Sequence, residues 1–153
     1  MNVLYCGDKN IEKGLTISIL SLLKNVSEEI NIYVLTINFE KPKIQGITDD
    51  SIKILDDRVN NNNKDSFVKK IDITELFEKE MPLSNMKTHF TPCCMLRLFA
   101  NKIDSLPDKI LYLDTDVIAR KNPHEFYKQN IEDYEFVRSI RLLWKMVLSK
   151  KSI

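Results

Sequence analysis

The chain has 153 residues, 43% of them hydrophobic and 29% charged, with a formal net charge of +1. That length suits one domain that can bury roughly two-thirds of its unfolded surface, and the near-neutral balance gives no general affinity for nucleic acid. No run approaches the ~18–20 apolar residues of a membrane span; the longest, Leu15 to Leu23, is broken by Thr16, Ser18 and Ser21.

Residues 2–6 (Asn-Val-Leu-Tyr-Cys) read as a buried first strand ending at Gly7-Asp8. A helix is predicted from about Lys13 to Lys24, with Ile17, Leu20 and Leu23 on its apolar side. Asn31 to Ile37 is a second strand, and strand, helix and strand within so short a stretch form a βαβ unit. Asp49 or Asp50 is expected to cap a helix carrying Ile52, Leu55 and Val59, which gives way to a loop at Asn60 to Asn63. Phe67 to Ile71 is a third strand and Thr74 to Phe77 opens a short helix. Residues 82–90 read as a connecting loop. Cys94 to Ile103 reads as helical, with Met95, Leu98 and Phe99 as an apolar stripe and Arg97 facing elsewhere. Pro107-Asp108 turns the chain into a central strand, Pro123 suits a helix start through Tyr127, and Tyr134 to Ile140 is a further strand.

Residues 110–118 carry the sharpest clue: the apolar run Ile-Leu-Tyr-Leu breaks into Asp114 and Asp116 before turning apolar again. An arbitrary Asp-x-Asp is most often a solvated turn or a helix cap. Here a buried strand precedes it, and carboxylates set into a buried segment require a partner. In extended chain residues i and i+2 point to one side. Both carboxylates would then project from the carboxyl edge of the sheet, where open α/β folds bind ligands.

Past Glu135 the chain has no acidic residue, while Arg138, Arg141, Lys145, Lys150 and Lys151 accumulate among apolar residues. This tail reads as a basic amphipathic helix able to touch a membrane surface or a partner groove. More often such a stretch is a plain terminal helix, or sequence foreign to the domain. Charges at Asp8 and Lys9 interrupt any signal-peptide-like segment. Three cysteines, two of them adjacent, fit a reducing compartment, so a cytoplasmic location is expected. With His89 and His124 alone and no Cys-x-x-Cys, a structural zinc site is not expected.

Three motifs, in order, resemble glycosyltransferase family 8, a group with the GT-A fold. They are Asp8-Lys9-Asn10 after the first strand, Arg97-Leu98 before the central strand, and Leu111 to Asp116 as Leu-Tyr-Leu-Asp-x-Asp. The resemblance covers about residues 1–137 and implies an α/β, Rossmann-like half of a GT-A domain with a mostly parallel sheet. It implies hexosyl transfer from a UDP-sugar to a saccharide, lipid-linked or protein acceptor. Cys6, Gly7, Asp8 and Asn10 would meet the uracil and ribose, with Gly7 allowing close approach. Arg97 would pair with Asp114 or reach the donor sugar or its diphosphate. Asp114 and Asp116 would hold Mn²⁺ or Mg²⁺, Asp114 touching ribose or sugar as well, and the backbone of Thr115 would lie near the nucleotide.

The chain departs from the family pattern at Ile11, where members often carry an aromatic residue, at Met95, where they often carry Tyr, and at Arg141, where an acidic residue is expected. A longer C-terminal part of the family supplies a metal-binding His and the acceptor site. Neither His89 nor His124 stands in the context of that ligand. The expectation is a nucleotide-binding portion over 1–137 and a basic tail over 138–153, truncated or altered near residue 138 as by a shifted reading frame, with little or no transferase activity of its own. Two other readings remain: a nucleotide-sugar-binding remnant without chemistry, and a haloacid-dehalogenase-like phosphatase with Asp114 as nucleophile and Asp116 as acid/base.

Overall fold

A computed structural model describes residues 1–40, 43–80, 92–131, 136–138 and 145–149, the last two segments as backbone alone. The expected loop over 82–90 lies outside the described residues. Four parallel strands form the body of the sheet: β1 (Asn2–Cys6), β2 (Asn31–Thr36), β3 (Phe67–Asp72) and β4 (Lys109–Leu113), in the order β3-β2-β1-β4. Val3 pairs with Ile32 on one side and with Leu111 on the other, so β1 is central. Lys145–Ser149 (β6) pairs antiparallel with β4, and Phe136–Arg138 (β5) pairs antiparallel with β6. The mostly parallel sheet predicted from the βαβ pattern is therefore present. The helical reading of the tail is corrected at Lys145–Ser149, which is a strand. The outer edge of β4 offers a row of backbone donors and acceptors that such a strand satisfies, and that opportunity is non-local.

Successive strand residues alternate between two cores, as the period of two requires. Val3, Tyr5, Ile32, Val34, Leu111 and Leu113 face one layer, covered by α1 (Glu12–Asn25) and α2 (Asp49–Asn62). Leu4, Tyr33, Leu35, Ile110 and Tyr112 face the other, covered by α3 (Thr74–Glu80) and a 3-10 helix, Pro92–Lys102. A sheet buried on both faces explains why its strands read as near-continuous apolar runs. Each fully buried Leu or Ile contributes on the order of 1.5–3 kcal/mol.

Several local expectations are corrected. α1 buries Leu15, Ser18, Ile19 and Leu22, whereas Ile17 and Leu20 are 57% and 46% exposed. Six apolar residues between 15 and 23 surround that helix, so periodicity alone does not select its inner face. α2 is capped by Thr48, whose hydroxyl accepts from Ser51 N–H, while Asp49 and Asp50 occupy the first turn, where negative charge suits the helix dipole. Asn60 to Asn62 are helical, and only Asn63 stands outside as the C-cap. In Pro92–Lys102 the buried residues Cys93, Leu96, Phe99 and Ala100 replace the expected Met95–Leu98–Phe99 stripe, and Leu98 is exposed. The spacing 93-96-99 matches the roughly three residues per turn of 3-10 geometry. A short helix, α4 (His124–Tyr127), follows Pro123 as expected.

Candidate functional site

The carboxyl ends of β1, β2 and β4 lie side by side, and the residues singled out in the sequence gather at β1 and β4. At β1, Cys6 is the last strand residue and Gly7 continues the pairing, its N–H donating to Leu35 O at 3.0 Å. Gly7 O accepts from the buried Thr36 hydroxyl at 2.8 Å. A Cβ at Gly7 would lie 2.5 Å from Ile11 Cγ1, so the space beside this glycine is filled by Ile11 rather than left for a ligand.

Asp8 then caps the short 3-10 turn Lys9–Ile11. Its Oδ1 accepts from Asn10 N–H at 2.9 Å and its Oδ2 from Asn10 Nδ2 at 3.1 Å, so both carboxylate oxygens are engaged inside their own turn. Lys9 N–H reaches Gln45 O at 2.8 Å. Beside Gln45, an open depression of about 440 Å³ is lined by Asn38, Phe39, Ile44 and Gln45 among others.

At β4 the strand stops at Leu113, and Asp114 to Val117 forms a turn closed by Val117 N–H on Asp114 O at 3.1 Å. The expectation of extended chain through Asp116 is therefore corrected: a turn, not a continued strand, places the two carboxylates at the edge. Asp114 is half-buried and Asp116 exposed. Thr115 faces inward; its carbonyl oxygen would stand 3.0 Å from a Cβ at Gly14 of α1.

Arg97, on the 3-10 helix, comes to this turn from the other layer. Its Nη1 lies 3.8 Å from Asp114 Oδ1 and donates to the Tyr112 hydroxyl at 3.1 Å. The Tyr112 hydroxyl in turn donates to Asp114 Oδ1, and the Arg97 guanidinium sits 5.2 Å from the Tyr112 ring centroid. The phenol thus bridges cation and carboxylate, and one oxygen of Asp114 is committed to that bridge. Burial pushes the phenol well above its ordinary range, and the neighbouring Cys6 thiol and Asp114 add to the rise. It remains a hydrogen donor throughout the neutral range. Burial also drives the Cys6 thiol up, opposed by Arg97 and reinforced by Asp114. The Cys93 thiol is pushed up to about 12 by burial, with Asp8 nearby adding to it. These mutual influences place Cys6, Cys93, Asp8, Arg97 and Asp114 in one neighbourhood, and neither Cys6 nor Cys93 is in a disulfide.

Sequence reasoning took Tyr112 as strand filling and missed its bridging hydroxyl. Its position two residues before Asp114 on one strand face was the available signal. No group of three or more His, Cys, Asp or Glu that could hold a metal occurs among the described residues. The turn's own donor set is two carboxylates.

Carboxylates, a cation and a bridging phenol thus stand at the carboxyl edge of the parallel strands in a Rossmann-like α/β unit, the edge where open α/β folds bind ligands. The chain belongs to glycosyl transferase family 8, whose sequence pattern matches residues 2–148. Among solved structures it is similar to the galactosyltransferase LgtC in complex with donor and acceptor sugar analogues. That similarity has a TM-score of 0.73 at 16% identity and covers 99% of this chain and 58% of LgtC. It is also similar to the glycosyltransferase GlyE of Streptococcus pneumoniae TIGR4, with a TM-score of 0.70 at 16% identity, covering 98% of this chain and 34% of GlyE. The bifunctional glycosyltransferase WbbM gives 0.62 at 11% identity, over 98% of this chain and 31% of WbbM. At such identities the likeness is one of fold. The chain spans little more than half the length of LgtC. No curated protein matches it in sequence. No helix among the described residues is long and apolar enough to cross a membrane.

Proposed function

We propose that this carboxyl edge binds the UDP part of a UDP-sugar donor with a divalent cation at Asp114 and Asp116, in the service of hexosyl transfer to a saccharide, lipid-linked or protein acceptor. The observation that carries this reading is the Asp114–Val117 turn: two carboxylates at the end of a central-sheet strand, with Arg97 fixed beside them. Membership of a glycosyl transfer family and the sugar-analogue complex of LgtC support a donor and an acceptor.

Two carboxylates fit Mn²⁺ or Mg²⁺, which take oxygen ligands and complete their shell with phosphate and water. When bound, such an ion supplies Lewis-acid stabilisation of the departing diphosphate. The chain's own residues do the rest. Tyr112 holds Oδ1 of Asp114, so the other oxygen is the one turned to a ligand. Arg97, kept charged and oriented by Tyr112, offers a fixed cation to diphosphate or sugar. The Asp8 turn, stiffened by Asn10, offers the Asn10 amide and its own carboxylate edge to ribose and uracil beside the depression at Gln45. Cys6 and Gly7 support that turn from beneath, and Thr115 contributes the geometry of the carboxylate turn rather than an outward carbonyl.

On this reading donor binding belongs to residues 1–137, transfer by this chain alone is low or absent, and the setting is cytoplasmic. The phosphatase alternative is set aside by the family match. A binding portion without turnover is the second reading.

Electron paramagnetic resonance of Mn²⁺ tests the reading. The signal of free Mn²⁺ is expected to fall when chain and UDP are present together, and to persist in the Asp114→Asn and Asp116→Asn variants. Equal Mn²⁺ uptake by wild type and both variants would overturn it.

A further inference from the structure

Helix α1 turns a row of small and polar residues, Gly14, Ser18, Ser21 and Asn25, toward the segment that follows Asp114. Their spacings of four, three and four keep them on one helix face. Ser18 Oγ donates to Val117 O at 2.7 Å. With its single proton so used, it accepts from the buried Tyr5 hydroxyl at 2.8 Å. Ser21 Oγ accepts from Ala119 N–H at 2.8 Å while donating to Ser18 O at 2.7 Å. Asn25 Nδ2 donates to Ala119 O at 2.9 Å and to Ser21 O at 2.8 Å. At the near end, a Cβ on Gly14 would stand 3.0 Å from Thr115 O, so helix and turn are in contact there. From Thr115 to Ala119 the backbone has left β4, and side chains of α1 take the place of a neighbouring strand.

The face of α1 that carries this row also buries Leu15, Ile19 and Leu22, so the polar contact and apolar burial turn the helix the same way. Ile17 and Leu20 are left exposed while Ser18 is 1% exposed. A buried hydroxyl is tolerated because each of its bonds is made.

We infer that the row Gly14, Ser18, Ser21 and Asn25 is a positioning element for the metal-binding turn: it fixes the path of residues 115–119 and so the placement of the Asp116 carboxylate relative to Asp114. The inference rests on the proposed cation site. None of the four residues touches donor or metal in this scheme; they act through the turn.

Gly14→Ala separates positioning from mere structure. Alanine favours a helix interior, while its Cβ presses Thr115 O by a few tenths of an ångström. UDP affinity is measured by calorimetry with and without Mn²⁺, beside the melting temperature. The expected result is a melting temperature unchanged or raised, a metal-free affinity unchanged, and the Mn²⁺-dependent gain in UDP affinity reduced about tenfold, as for outer-shell partners of metal ligands. Ser21→Ala is expected to reduce the same gain, with Ser21→Thr restoring it. A folded Gly14→Ala or Ser21→Ala chain with the full wild-type Mn²⁺ gain would overturn the positioning role and leave the donor site standing. A folded wild-type chain with no Mn²⁺ gain would overturn the donor site, and the positioning role with it.

Discussion

Two turns of similar composition follow adjacent parallel strands, yet they are built in opposite ways. Asp8-Lys9-Asn10, after β1, is closed on itself, because both oxygens of Asp8 accept from Asn10. Asp114-Thr115-Asp116, after β4, is held from outside: by Tyr112 and Arg97 on one side of the sheet and by α1 on the other. A turn that satisfies its own carboxylate needs no distant partner for that charge, even though its Lys9 N–H meets Gln45 O, and it presents mostly hydrogen-bonding edges. A turn whose carboxylates are steadied by remote groups keeps negative charge available, at Asp116 above all. The first suits the neutral parts of a nucleotide and the second a cation with its phosphates. Chemistry alone would not separate the two motifs; what satisfies each aspartate does.

The widest effect on that contrast is expected from Ser18→Ala. It strips partners from the buried Tyr5 hydroxyl and from Val117 O, a loss of about 1–3 kcal/mol in stability, read as a lowered urea midpoint. Tyr112→Phe removes the bridge between Arg97 and Asp114 while keeping the ring. The Mn²⁺-dependent part of UDP affinity is expected to fall about tenfold, with metal-free affinity unchanged, by calorimetry. Asp8→Ala takes away a cap and is expected to cost about 1 kcal/mol of stability. It should weaken UDP binding equally with and without Mn²⁺; a selective loss of the Mn²⁺-dependent part would erase the distinction between the two turns.

The smallest effect concerns the junction next to the closed turn, where Glu12 accepts from Thr48 N–H at 2.8 Å and its hydroxyl at 2.9 Å. Burial raises the Glu12 carboxyl, but the Thr48 amide and hydroxyl outweigh it and hold the group below its ordinary value. Its contribution is thus full above the unfolded-state value of 4.5 and lost as pH falls through the lower folded value. Thermal melts across that acid window should be flatter for Glu12→Gln than for wild type.

The strands were legible because each is an apolar run of β-formers, and Asn2–Cys6, Asn31–Thr36 and Phe67–Asp72 fall within a residue or so of expectation. The ordering that brings Asp8, Arg97 and Asp114 to one edge followed from the βαβ pattern together with the family motifs. What stayed hidden is what depends on a second element. α1 carries apolar residues on more than one face, and the partners that the backbone of 117–119 finds in Ser18 and Ser21 lie on the face of Leu15, Ile19 and Leu22, out of sight in the sequence. The 3-10 winding of Pro92–Lys102 moves the buried face from Leu98 to Leu96. Tyr112 reads as core until Arg97 arrives from another layer to meet its hydroxyl. Lys145–Ser149 reads as a helix until the free edge of β4 is in view.

The two turns divide the labour of donor binding in this scheme, and one calorimetric experiment checks that division: UDP titrated with and without Mn²⁺ into wild type, Asp116→Asn and Asp8→Ala. A Mn²⁺-dependent gain is expected in wild type, its disappearance in Asp116→Asn with metal-free binding intact, and its survival on a weaker baseline in Asp8→Ala. A gain that persists in folded Asp116→Asn, or that vanishes in Asp8→Ala, would contradict it.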